Sequence, residues 1–215
     1  SRQVEFYPDD GPLEDVVLRL AELPLLFHPG SRWNYGVSTD VLGHVIEVVT
    51  GQALDVFLTK RVFEPLGMPD TGFRLPRHNL GRFSALYEAT PADPMQLADP
   101  REGSVYANEV TTLSGGAGLL STASDYFRFT EMIRRSGQGP EGPLLRPETV
   151  ADMTRNHLPG DLASMGQGTF NEMHYDGIGF GLGFSIVIDP NAVDYACAVG
   201  EVAWGGLAST AFWVD

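Results

Sequence analysis

Few of the 215 residues fall into patterns that do chemistry. The chain has no G-x-S-x-G elbow, no G-x-x-x-x-G-K-[ST] phosphate loop and no H-E-x-x-H. The histidines at 28, 44, 78, 157 and 174 show no ligand spacing and read as surface or helix residues. Cys197 is the single cysteine, so neither an internal disulfide nor a thiolate metal cluster can form. Its setting, Tyr195-Ala196-Cys197-Ala198-Val199, suits a buried structural thiol. Gly115-Gly116-Ala117-Gly118 precedes a helix, where backbone N–H groups can hold an anion. It lacks the preceding buried strand and downstream acid of a dinucleotide site, so alone it reads as a turn. Two features remain. Tyr35 could shuttle a proton if a nearby cation lowered its phenol from near 10, or it could simply pack its ring after Trp33. Trp204-Gly205-Gly206 could let a backbone approach a ligand closely, or could mark a bulge or hairpin.

These residues need elements to hold them. Residues 12–23 read as a helix with Leu13, Val16, Val17 and Leu20 on one face and Pro24 beyond its end. Residues 39–50 read as a second helix, capped by Ser38, with Asp40 at its positive end. Its buried stripe is expected to be Val41, Leu42, Val45, Ile46 and Val49, with Gly51 ending it. Residues 53–63 give a third helix, with Leu54, Phe57, Leu58 and Val62 inward. The stretch 75–112 is loop-rich and suits a binding surface. Thr122-Ala123-Ser124-Asp125 opens a helix over about 123–136, and Pro147 one over 147–154. Alternation of Phe180, Leu182, Phe184, Ile186 and Ile188 predicts one strand over 180–188, with further strands at 195–200 and 207–214. Helices thus dominate the first three-quarters and strands the end. The expectation is an α+β fold, a helical layer against an antiparallel sheet.

Composition excludes several classes. Hydrophobic residues make up 43% and charged residues 20%, the proportions of a chain that can bury a core. A net charge of −14 argues against nucleic acid as a partner. No apolar run reaches the roughly 18 residues that a membrane span needs.

Three segments carry a family resemblance together. The first runs from His28-Pro29-Gly30-Ser31-Arg32-Trp33-Asn34-Tyr35-Gly36-Val37 to Phe63-Glu64-Pro65-Leu66-Gly67-Met68. The second is Ser114-Gly115-Gly116-Ala117-Gly118-Leu119-Leu120-Ser121-Thr122-Ala123-Ser124-Asp125-Tyr126. The third is Trp204-Gly205-Gly206-Leu207 and the residues to Asp215. Their order and spacing resemble the serine β-lactamase and penicillin-binding-protein superfamily, most of all the family VIII carboxylesterases with their class C β-lactamase fold. The resemblance implies a β-lactamase/transpeptidase-like architecture. Residues 1–176 would be a mostly helical domain with the tyrosine motif and substrate loops, and 177–215 strands of the α/β domain.

The family uses a Ser-x-x-Lys nucleophile element, a tyrosine motif and a strand motif. Tyr35-Gly36-Val37 matches the second, which makes Tyr35 the proton shuttle. Trp204-Gly205-Gly206 matches the third, with the Leu207 N–H as an oxyanion donor. The first element is missing, because Phe57 stands three places before Lys60, the sole lysine. The resemblance therefore implies an internal segment of a longer hydrolase, needing an N-terminal Ser-x-x-Lys segment and a C-terminal continuation, and inactive alone. Val37 stands where β-lactamases carry Asn, and Trp204 where they carry Lys. Both changes favour a neutral, apolar ester over a charged β-lactam or peptide. The implied activity is serine carboxylesterase chemistry on a small-molecule ester, with no metal or organic cofactor. The alternatives are a β-lactamase or D-alanyl-D-alanine carboxypeptidase, or a catalytically inactive binding protein. Bacterial cytoplasm and periplasm both remain open.

Overall fold

In the computed structural model, which describes residues 11–107, 110–166, 169–170, 173–206 and 208–215, the apolar spacing at the start becomes α1 (Leu13–Ala21). It buries Leu13 and Val16, the first two positions of its expected face. There follow α2 (Ser38–Thr50) and α3 (Leu54–Leu58), which runs through a π segment, Thr59–Phe63, into α4 (Glu64–Leu66). Pro65 has no N–H to give to an α-helical bond, and the wider π turn just before it accommodates that loss. The third helix is thus longer than expected, and the chain turns out at Gly67 with a positive φ. The loop-rich middle holds a short hairpin, β1 (Leu86–Glu88) with β2 (Gln96–Asp99). Then come α5 (Ala123–Arg134), β3 (Gln138–Gly139), β4 (Gly142–Pro143) and α6 (Pro147–Met153). The remaining strands are β5 (Thr169–Phe170), β6 (Met173–His174), β7 (Ile178–Phe180), β8 (Ser185–Val187), β9 (Val202–Gly205) and β10 (Ala211–Val214). Helices and antiparallel sheets together make the α+β class that the sequence predicts.

The described residues form two compact units that interleave in sequence. One holds residues 11–24, Gly36–Glu64 and Met68–Asp125; the other holds Leu25–Tyr35, Pro65–Gly67 and Tyr126–Asp215. The division at 176/177 follows element type and so is drawn on a different basis. In the first unit Leu13, Leu54, Phe73, Val110 and Leu113 form the core, with Val17, Ile46 and Leu58 against it. In the second, the antiparallel sheet has the order β10-β9-β8-β7. Leu162, Tyr175, Ile178 and Val187 form a core there, with Trp33, Phe180 and Cys197 packed on it.

Several expectations are corrected. Within the expected stripe of α2, Ile46 packs against the core, but the other four positions do not turn inward. Val41, Leu42, Val45 and Val49 are exposed, as is Val48, while Asp40 and Gly43 are the helix's buried residues. Gly43 faces inward because its missing side chain lets the 114–118 loop approach. A Cβ there would lie 3.3 Å from Gly115 Cα. Ser38 is not the cap: Val37 takes that position, without a side-chain bond, and Ser38 is the first helical residue. The expected strand over 180–188 is a hairpin of β7 and β8, paired Ile178 with Val187 and Phe180 with Ser185. The Gly181 N–H donates to the Phe184 carbonyl and Gly183 has φ 93°, so the alternation passes through a turn. Residues 195–200 form no strand; β9 lies just beyond them, in the gap between the two expected strands. Cys197 is half-buried rather than buried, and burial first, then Glu201, pushes its thiol up.

Candidate functional site

The sheet unit brings Tyr35 and Trp204 together. Trp204 lies on β9, flanked by β8 and β10, with Phe212 as its cross-strand partner on β10. Tyr35, 48% exposed, stacks on it, ring centroids 6.1 Å apart and 14° between planes. Offset stacking of this kind favours a fixed ring orientation over free rotation.

Two further aromatics complete the group, and the motifs did not point to them. Trp33 meets Phe180 and Trp204 edge-on, with centroids 5.1 and 6.4 Å away, and lies tilted to Tyr35 at 6.3 Å. Phe180 meets Trp204 edge-on at 5.3 Å. Trp33 is fixed at its backbone, where its N–H donates to the Met165 carbonyl at 3.1 Å. Phe180 is fixed through Asn156, whose Oδ1 accepts its N–H at 3.0 Å. The Asn156 Nδ2 donates to the Leu158 and Gly160 carbonyls at 3.2 and 2.9 Å, so this amide holds the end of β7 against the 156–160 loop. A signal for Trp33 existed: in extended chain it shares a side with Tyr35, two residues on.

The glycines after Trp204 form the hairpin into β10. The Gly206 N–H donates to the Thr210 carbonyl at 2.7 Å, and the Ser209 N–H to the Gly206 carbonyl at 3.1 Å. A Cβ on Gly206 would overlap the Thr210 hydroxyl. Gly205 and Gly206 are both exposed. Leu207 lies outside the described residues. Near Tyr35, burial pushes the Tyr175 phenol up, and negative charge on Tyr35 pushes it the same way.

In the helical unit, Val37 caps α2, its carbonyl accepting the N–H groups of Asp40 and Val41 at 3.1 and 3.2 Å. The Ser114–Gly118 loop is occupied internally. The Gly116 N–H donates to the Asp40 carboxylate at 3.3 Å and to Ser114 Oγ at 3.1 Å, and the Ala117 N–H to Ser114 Oγ at 2.9 Å. These donors are turned inward to the protein's own groups. Among the described residues no three His, Cys, Asp or Glu side chains group as a metal site. Nor is any single helix there long and apolar enough to cross a membrane.

Comparison with known proteins adds ancestry to this geometry. The model of the family described as Beta-lactamase matches residues 2–215. Esterase EstB of Burkholderia gladioli is 33% identical over 96% of the chain and 52% of its own length. Lovastatin esterase of Penicillium rubens is 31% identical over 93% of the chain and 51% of its own length. Among solved structures, "EstCE1, a hydrolase with promiscuous acyltransferase activity" superposes with a TM-score of 0.77 at 28% identity, over 98% of this chain and 54% of that one. The chain spans about half the length of the curated relatives it matches.

Proposed function

The chain belongs to the Beta-lactamase family, and from that premise we propose that it is part of a serine carboxylesterase acting on short-chain or apolar esters through an acyl-enzyme. The observation that supports this most is the stacking of Tyr35 on Trp204, since it sets the tyrosine of one motif against the tryptophan of the other. The esterase names of its relatives support the same chemistry. In this reading the nucleophilic serine and its lysine lie outside these residues. The lysine ammonium stabilises the Tyr35 phenolate. The phenolate takes the proton of the serine hydroxyl as its oxygen attacks the ester carbonyl carbon. The tetrahedral oxyanion takes hydrogen bonds from the backbone N–H groups of Leu207 and of the serine itself. As the ester C–O bond breaks, Tyr35 returns the proton to the departing alcohol. Water then attacks the acyl-enzyme carbonyl carbon, losing a proton to Tyr35; as the acyl C–O bond to the serine breaks, Tyr35 returns that proton to the serine oxygen and the carboxylic acid leaves.

Substrate choice follows from two side chains. Trp204 offers an apolar ring and one N–H where a lysine would offer a charge, and Val37 offers no amide. With Trp33 and Phe180 at its back, Trp204 forms a wall suited to an uncharged acyl or alcohol group. The whole protein is therefore expected to hydrolyse p-nitrophenyl acetate and butyrate in preference to nitrocefin. A clear preference for nitrocefin would replace this reading with a β-lactamase or peptidase. Absence of turnover on both, with no serine labelled by a fluorophosphonate, would indicate an inactive binding protein.

A further inference from the structure

The sequence run Ser114-Gly115-Gly116 and the buried carboxylate of Asp40 take no part in the chemistry above, yet they are built around each other. Asp40 is 3% exposed in the first turn of α2. Its Oδ1 accepts the Ser114 hydroxyl and the Gly116 N–H. Burying a carboxylate is costly unless donors surround it, and here two donors and the positive end of a thirteen-residue helix do so. The loop also approaches α2 backbone to backbone. A Cβ on Gly115 would overlap the Thr39 carbonyl, and one on Gly116 would lie 2.8 Å from the Thr39 hydroxyl and 2.9 Å from Asp40 Oδ2. Only glycines fit at both positions, and only a hydroxyl at 114 can both donate to Asp40 and accept from residues 116 and 117.

This clamp grips the chain immediately after the tyrosine motif. Gly36 and Val37 alone separate Tyr35 from the first residue of α2. The Val37 carbonyl is held by the N–H of Asp40 itself. We propose that Asp40, with Ser114, is a positioning residue for the proposed esterase reaction: the pair fixes where α2 begins and so fixes the backbone from which Tyr35 reaches the reacting atoms. The inference rests on Tyr35 being the proton shuttle. Misplacing such a group by about an ångström costs on the order of 100-fold in rate without weakening substrate binding.

The test measures kcat per fluorophosphonate-titrated serine, and KM, for p-nitrophenyl butyrate in the whole protein. Asp40→Ala is expected to lower kcat per titrated site about 100-fold, with KM within about threefold. Ser114→Ala is expected to lower it about 10-fold, and the double variant no further than Asp40→Ala. Asp40→Asn keeps an oxygen acceptor and is expected to recover most of the rate. A role in stability alone would lower the melting temperature and the titratable fraction but leave the rate per site unchanged. That result for Asp40→Ala overturns the proposal; where Asp40→Ala does not fold, the same result for Ser114→Ala overturns it. Tyr35→Phe is measured alongside. Full turnover by Tyr35→Phe would remove the proposed function itself, whereas an inactive Tyr35→Phe beside an unaffected Asp40→Ala would remove only the clamp.

Discussion

At the scale of residues, what was legible was the pair of motif aromatics. Tyr35 and Trp204 could be picked out because Tyr35-Gly36-Val37 and Trp204-Gly205-Gly206 resemble the family's tyrosine and strand motifs; without that resemblance either ring could simply pack. Trp33 offered only its place two residues before Tyr35, and Phe180 offered nothing, since an aromatic beside a strand or turn looks the same whether it packs on the core or on another ring. Their role comes from contacts between segments almost 150 residues apart, at 5.1 Å between their ring centroids. Asp161 was equally silent. Its carboxylate accepts the Ser164 N–H at 2.8 Å and the Gly177 N–H at 3.0 Å, and these bonds hold it below its ordinary value of 3.8. A depressed folded-state pKa means that the charged form stabilises the fold. That contribution is complete above the ordinary carboxylate range and fades as pH falls through the lowered folded value. Asp161→Asn is expected to cost about 1–2 kcal/mol at pH 7, the loss of a charge-assisted bond. Denaturant titrations at pH 7 and at pH 2.5 check this, with a smaller difference expected at the acid end.

At the scale of elements, periodicity located the helices but not their environment. The stripe on α2 was correctly apolar, but of its five residues Ile46 alone packs on the core, and Val41, Leu42, Val45 and Val49 face outward. Which face of a helix is buried depends on what approaches it, and here the approach of the 114–118 loop demands Gly43 on the inward side. The strand over 180–188 failed for a related reason. Alternation continues through Gly181-Leu182-Gly183, although the chain reverses there. Gly181 makes that reversal possible, since a Cβ on it would overlap the Met153 carbonyl at the end of α6. Gly183 has only its positive φ to defend, with open space around it. Gly181→Ala is therefore expected to destabilise by about 2–3 kcal/mol through a forced backbone shift. Gly183→Ala should cost about 1 kcal/mol through strain alone. Urea midpoints of the two variants give the ranking, and equal losses would contradict it.

At the scale of the whole molecule, the α+β class was readable because helices and strands segregate along the sequence. The interleaving of the two units was not, because it depends on residues 25–35 and 65–67 leaving their sequence neighbours for the sheet unit. A second feature belongs to this scale. Val41, Leu42, Val45, Val48 and Val49 stand exposed on one helix, with Val48 at 68% and Val49 at 78%. Contiguous apolar surface of this kind binds hydrophobic dyes and promotes association. A polypeptide of these 215 residues is expected to enhance 8-anilinonaphthalene-1-sulfonate fluorescence. Val48→Glu with Val49→Glu should reduce that signal while changing stability by no more than about 0.5 kcal/mol. The same polypeptide is expected to take no fluorophosphonate label, since the proposed nucleophile lies outside it. The role of Tyr35 shows in the burst of p-nitrophenol released when the whole protein meets p-nitrophenyl butyrate. Tyr35→Phe, with unchanged circular dichroism and melting temperature, is predicted to abolish both burst and steady turnover. A burst of parental size and rate in that variant would contradict the account.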